Sequence, residues 1–301
     1  VKEAFVDKNF TYESLKKIDV VNAILGEYQA EGYDLTLRQL YYQMVARGYI
    51  ENSQRSYKRL GDLVNNARLA GLIDWDMITD RGRETVSAPH WSDPAEIVEA
   101  AASQFAIDKW ENQPNYVEVM VEKQALEGVL IPVCRSLDIR FTANKGYSSS
   151  SIMYETGKRL RDYAEAGKTV WVLYLGDHDP SGLDMTRDVK DRLRLFSESP
   201  VEVDRLALNM DQIESLRPPE NPAKETDTRY SAYIARFGYS SWELDAIEPR
   251  TLARIVTRAV EYLRDPVLWA EAVEREAAMK AELLSFVRAY RDGSAKEGPG
   301  S

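Results

Sequence analysis

The chain contains a single cysteine, Cys134, among 301 residues. That excludes an intramolecular disulfide and any cysteine-rich zinc site. Histidine is nearly as scarce: His90 and His178 are the whole complement, which leaves little room for histidine-ligated metal chemistry. No uninterrupted apolar run approaches the roughly 18 residues a membrane helix needs. The opening VKEAFVDKNF carries no signal-peptide pattern, so no membrane partner and a cytoplasmic location are expected. No glycine-rich nucleotide loop is found either, so ATP-driven chemistry would need a separate subunit.

What is present suits a globular protein of more than one domain: 44% hydrophobic and 29% charged residues, the charges dispersed rather than blocked. A net charge of −10 argues at first against a nucleic-acid partner, but its distribution is uneven. Residues 1–90 carry 12 Lys/Arg against 13 Asp/Glu, and within 35–70 six basic groups (Arg38, Arg47, Arg55, Lys58, Arg59, Arg68) face only Glu51 and Asp62. A locally basic face on an acidic protein is one reading; scattered, solvated arginines are the other.

Residues 11–30 have helical spacing, with Leu15, Ile18, Val21 and Ile24 on one side. Thr36 and Gln39 then form a capping-box pattern, and Leu37, Leu40, Tyr41, Met44 and Val45 line one face up to Gly48. A third amphipathic segment spans 56–70, and LIDWDMITD alternates like a strand, with Ile73, Trp75 and Met77 on one face. Three helices and a short strand predict a winged helix-turn-helix, with residues 57–70 as the recognition helix. Downstream, strands at NYVEVMVEK, DIRFTANKG, KTVWVLYLGD and PVEVDRLAL alternate with helices near 125–137, 150–166 and from 182 onward. That order predicts an α/β fold with a mostly parallel sheet and flanking helices, whose ligands sit beyond the carboxyl ends of the strands. Residues 249–264 and 267–291 read as two further helices after a proline-rich loop, and GSAKEGPGS as a disordered tail.

Glu122 ends one strand, and Asp177 and Asp179 end another. Carboxylates brought to about 4 Å repel by roughly 4 kcal/mol per pair at an effective dielectric near 20, so something must offset them. Protons, basic partners or a divalent cation would serve, and an all-oxygen set favours Mg2+ or Mn2+ over zinc. The plainer alternative is that Asp177 and Asp179 only cap the helix that follows.

The segments VEKQAL, NKGYSSSS and YLGDHDPSGLDM resemble, in order and spacing, the Toprim segments of the topoisomerase VI A subunit and its meiotic double-strand-break relatives. TLRQLYY is similar to that family's motif of an arginine shortly before a tyrosine pair on a winged helix, and the resemblance spans about residues 34–206. It implies a winged-helix domain at 1–88, a connector at 89–113, a Toprim domain at 114–206, a helical C-terminal extension at 207–292 and a tail at 293–301. It further implies a homodimeric transesterase on double-stranded DNA, nucleoid-associated, with Mg2+ or Mn2+ as cofactor, and allows a separate ATPase B-type subunit as partner. In the family the second tyrosine, here Tyr42, attacks a DNA phosphodiester and leaves a 5′-phosphotyrosyl link. Glu122, Asp177 and Asp179 are then the metal ligands, one subunit's tyrosine working beside its partner's metal site, and Lys145 a phosphate contact.

Helical geometry reaches Tyr42 independently. At about 100° per residue Tyr41 falls within the Leu37/Leu40/Met44 stripe, whereas Tyr42 lies roughly 40° from Arg38, off the core. Arg38 is placed to stabilise a phenolate whose formation at pH 7 costs about 4 kcal/mol. Arg55, Lys58, Arg59 and Arg68 are the candidate DNA contacts of the third helix, and His178 should point away from the aspartates flanking it. His90 and Cys134 have no expected chemical role. Two departures stand beside the site: His178 replaces the family's usual residue in the Toprim turn, and SSSS replaces a proline-containing continuation after KGY. Two alternatives stay open: a hydrolytic Toprim nuclease with a structural Tyr42, and a non-catalytic DNA-binding module of a mobile element.

Overall fold

The computed structural model describes residues 2–78, 90–144 and 146–296. Helix α1 (Tyr12–Ala30) starts at Thr11, whose hydroxyl accepts from the Ser14 amide, and buries Ile18, Val21, Ile24, Leu25 and Tyr28. Helix α2 (Leu37–Ala46) opens on the expected capping box: the Gln39 amide donates to Thr36 Oγ1 at 3.3 Å and the Thr36 amide to Gln39 Oε1 at 2.8 Å. It stops at Gly48, whose φ of +74° suits a residue without a Cβ. Helix α3 (Gln54–Leu69) lays Leu60, Val64 and Ala67 on the same core. The strand expected after it is not formed. Trp75–Met77 is a single 3₁₀ turn, capped where the Asp74 side chain accepts from the Asp76 amide. Among the described residues of this segment Ile78 alone bridges a neighbour, Leu35, which is too little pairing for a strand, and a local Asx turn takes up the Asp76 amide. Residues 79–89 lie outside the described residues, so three helices, not a wing, are what this part displays.

Helix α4 (Pro94–Gln104) lies within the stretch read as a connector. Strands β1 (Asn115–Val121), β2 (Arg140–Ala143), β3 (Thr169–Leu175) and β4 (Glu202–Ala207) form a parallel sheet in the order β2-β1-β3-β4. Helices α5 (Glu127–Ser136), α6 (Ser150–Glu165) and α7 (Pro180–Ser197) connect them. Alternation divides each central strand between two cores. Val117, Val119, Val121, Leu173 and Leu175 join the Val129, Leu130 and Cys134 side chains of α5. Tyr116, Met120, Val170, Val172 and Tyr174 join Met153 and Leu160 of α6 and Val189 and Leu193 of α7. A sheet covered on both faces is the reason these strands read as nearly continuous apolar runs.

The C-terminal part is less purely helical than expected. After α8 (Met210–Leu216) the chain forms β5 (Asn221–Pro222), α9 (Tyr230–Phe237) and β6 (Ser240–Ser241), with β5 and β6 paired antiparallel. Helix α10 (Pro249–Leu263) then drives Leu252, Val256 and Val260 into the first sheet core. Helix α11 (Pro266–Lys296) packs along α4. Residues 293–296 of the expected disordered tail therefore continue this helix, since each residue added to a formed helix gains a backbone hydrogen bond. No helix among the described residues is long and apolar enough to cross a membrane.

Candidate active site

Glu122 follows β1 directly, and its amide donates to Leu175 O at 2.9 Å, so the ends of β1 and β3 are level. The Asp177 amide in turn donates to Glu122 Oε2 at 2.9 Å. This approach needs the two glycines nearby. A Cβ on Gly176 would stand 2.8 Å from Glu122 Oε2, and one on Gly182 would collide with the Asp177 carbonyl. Arg205 on β4 clamps the turn from behind, donating to the carbonyls of Asp177 at 2.6 Å and Gly176 at 3.0 Å. Asp179 caps α7 by accepting from the Gly182 amide at 2.6 Å and the Ser181 hydroxyl at 3.1 Å. The capping role weighed against a functional one is thus real for Asp179. Asp177 does not cap α7: its Oδ1 accepts from the Leu244 amide at 2.8 Å and its Oδ2 meets Lys123 Nζ at 2.7 Å.

Arg38, Glu122, Asp177 and Asp179, drawn from three distant segments, line one cavity of about 540 Å3. Its wall also carries residues that sequence reasoning did not single out: Lys123, Asn144, Glu243 and Asp245. Glu243 Oε2 is gripped by Arg38 Nη2 and by Lys123 Nζ, the latter at 3.0 Å. Asp245 Oδ2 lies 3.2 Å from Arg38 Nε and 3.8 Å from Lys123 Nζ. Burial, then the charge of Asp177, pushes the Glu122 carboxyl up to about 7. Burial also raises Asp177, against the pull of the Lys123 ammonium. For Lys123, burial works toward neutrality, but Asp177, Asp245 and Glu243 outweigh it and hold the ammonium charged. Burial raises Glu243 as well, yet Lys123 and Arg38 bring it below the ordinary glutamate value.

Tyr42 is not off the core. It is 3% exposed, within the cluster that packs α1, α2 and α3, and Ala246 of the C-terminal part belongs to the same cluster. A helical wheel could not foresee this, because the cover over that face of α2 comes from about two hundred residues downstream. Tyr41 is packed as expected, its hydroxyl donating to Asn52 Oδ1 at 2.9 Å. Tyr42 nevertheless lines a second cavity, of about 220 Å3, that shares Arg38, Asn221, Pro222 and Glu243 with the first. The Arg38 guanidinium lies 5.9 Å from the Tyr42 ring centroid. Burial, then Glu243, raises the Tyr42 hydroxyl to about 12, with Arg38, Asn221 and Lys123 pulling the other way. Phenol and carboxylate cluster therefore occupy adjoining cavities of a single chain, whereas the resemblance implies a tyrosine beside its partner's metal site.

The remaining sequence candidates divide. Arg55, Lys58 and Arg59 are exposed on α3. Arg68 is not available in the same way: its Nη2 donates to the carbonyls of Trp75 and Ile78, each at 2.6 Å, and its guanidinium stacks on Trp75. It closes the 3₁₀ turn onto α3, a use invisible in a charge count. Lys145 lies outside the described residues. His178 points away from the acidic cavity as expected, its Nδ1 2.9 Å from Tyr233 Oη, and burial lowers it to about 4. His90 is exposed and Cys134 buried, and neither lines the two cavities. Glu243 and Asp245 had no signal of their own, since an acidic pair in SSWELDAIEP reads as ordinary loop polarity. Lys123 was visible within VEKQAL, as a lysine at the mouth of a buried strand.

Magnesium and manganese take oxygen ligands. Among the described residues no three His, Cys, Asp or Glu side chains make a ready ligand set, and protein donors hold each of the expected carboxylates. The donor chemistry still suits a hard divalent ion. The cavity wall carries five carboxylates against the cations of Arg38, Lys123 and Lys224. The Asn144 side chain, 3% exposed, has no hydrogen-bond partner among the described residues on either polar atom. No protein-family model matches the chain, and no curated protein matches it.

Proposed function

We propose that this chain is a divalent-metal-dependent enzyme that cleaves phosphodiester bonds in double-stranded DNA. Within that class we propose a transesterase of topoisomerase VI A type, with Tyr42 as nucleophile, a Toprim arrangement at the sheet, a winged helix at the N-terminus and a homodimeric state. One observation carries the reading: Arg38, Glu122, Asp177 and Asp179 converge on one cavity beside the cavity of Tyr42.

In the reaction Tyr42 Oη loses its proton and attacks phosphorus. A phosphotyrosyl bond forms, the bond to the 3′-oxygen breaks, and that oxygen leaves with the electron pair and takes up a proton. Arg38, beside the Tyr42 ring, stabilises the phenolate and grips the phosphate. Glu122, Asp177 and Asp179 would hold the metal, which when bound supplies charge stabilisation to the phosphate and the departing oxygen. Arg205 and the two glycines keep the acidic turn in place.

Burial of Tyr42, with its hydroxyl raised to about 12, favours a second reading in which water attacks and Tyr42 is structural. Supercoiled plasmid incubated with protein and Mg2+, denatured, and run with and without protease separates the two. The transesterase gives nicked or linear DNA only after protein digestion, and Tyr42→Phe gives none. Cleavage without attached protein that survives Tyr42→Phe establishes hydrolysis. An absence of any cleavage, with DNA binding intact in Glu122→Gln, leaves a binding module.

A further inference from the structure

Lys123 and Arg38 come from different parts of the fold, yet both address the same oxygen, Glu243 Oε2. Two cations converging on one anionic oxygen is how proteins hold phosphate. The loop supplying Glu243 reaches further into the site: the Leu244 amide takes Asp177 Oδ1, and Asp245 stands behind both cations. Asp245 is 2% exposed and, without a hydrogen bond to either carboxylate oxygen, meets the two cations through ion pairs of its Oδ2. On the same cavity wall the Asn144 amide is buried and, among the described residues, without a hydrogen-bond partner on either atom. Beside the two cations that Glu243 holds, the wall carries Lys224 and the Asn144 amide as further groups able to meet an anion, in a protein whose net charge of −10 would otherwise repel a polyanion.

We propose that Glu243 is an internal stand-in for a nucleic-acid phosphodiester, displaced from Arg38 and Lys123 when DNA enters the cavity. The proposal rests on the nucleic-acid reading above and adds the regulation of that site. The stand-in keeps two half-buried cations paired and positioned until a phosphate takes over the same contacts, with the Asn144 amide as a further donor to it. Exchange of one anion for another leaves neither cation stripped of a partner, so the switch needs no rebuilding of the site. It also keeps Lys123 from being surrendered to bulk anions, since only a ligand that outcompetes an intramolecular carboxylate can displace it.

The test is binding of a fluorescent DNA duplex by anisotropy in divalent-free buffer, where cleavage does not contribute, with inorganic phosphate as a second ligand. Glu243→Gln tightens duplex binding by about tenfold or more, and its log affinity against log salt steepens, by no more than about two, because Asp177 still holds Lys123 at 2.7 Å and Asp245 still holds Arg38 at 3.2 Å. Arg38→Gln added to Glu243→Gln removes the gain, and Asp245→Asn gives a smaller one. Glu243→Asp, which keeps the charge but withdraws it by one methylene, also tightens binding and covers the case in which Glu243→Gln fails to fold. Unchanged or weaker duplex binding in the folded variants overturns the proposal, as does a gain confined to inorganic phosphate. These outcomes leave the cleavage reading standing, whereas a wild-type protein that binds duplex without cutting it overturns the cleavage reading and leaves the role of Glu243 in place.

Discussion

Two glutamates four residues apart, Glu118 within β1 and Glu122 just past its end, have opposite circumstances. Glu118 is fully buried and completely answered: Arg159 donates to both its oxygens at 2.6 and 2.9 Å, and Tyr116 Oη donates at 2.6 Å. Glu122, also buried, receives one backbone amide and faces Asp177 across the cavity. The first is an internal brace between β1 and α6. The second is held in a state its own fold does not neutralise, which is what a group reserved for a ligand looks like.

The largest effect that can break this comparison is on stability. Glu118→Ala leaves Arg159 without its partner in a half-buried place and is expected to cost about 3–5 kcal/mol. Glu122→Gln changes stability by less than about 1 kcal/mol at pH 7, because it removes a carboxylate that burial disfavours. Urea melts of the two variants decide this; equal losses would mean Glu122 is as structural as Glu118.

The next effect is pH dependence. A buried carboxyl raised from its ordinary value to about 7 binds its proton more tightly folded than unfolded. Its contribution to stability is therefore full below the ordinary value and falls as pH rises through about 7, by up to about 3 kcal/mol. Glu122→Gln removes that fall, so the difference in stability between variant and wild type grows in the variant's favour from pH 4.5 to 7.5. Chemical denaturation across that range measures it, and a constant difference would show that Glu122 ionises normally.

The smallest effects concern the partners. Tyr116→Phe deletes one donor to Glu118 and is expected to cost about 1–2 kcal/mol. Asn144→Leu, beside Glu122, replaces an amide that has no partner in the fold and should be neutral or slightly stabilising. Thermal melts distinguish the two, and a costly Asn144→Leu would mean that the amide supports the fold rather than a ligand.

Much of the scaffold was legible in the chain. The capping box at Thr36 and Gln39 announced α2 because both halves of a cap lie within four residues. The β1 and β3 strands declared themselves as apolar runs, since helices cover both faces of the sheet. The placement of Glu122, Asp177 and Asp179 at strand ends followed from the same pattern. Less was legible wherever a partner came from far away. The 3₁₀ turn at Trp75–Met77 depends on Arg68 closing over it, and Arg68 counted as a free cation until its carbonyl partners were seen. Tyr42 was read as facing outward because a helical wheel knows only its own helix.

By itself, then, the sequence determined α1 to α3, the four strands of the main sheet with their connecting helices and parallel sense, and the carboxylates at its mouth, because those features rest on periodicity and on caps a few residues long. Only the tertiary structure decided that residues 221–246 fold back over α2 and the acidic turn, burying Tyr42 and setting Glu243 between Arg38 and Lys123. Contacts between residues two hundred apart leave no periodic trace, and an acidic residue in a loop carries the same letter whether it meets water or two cations.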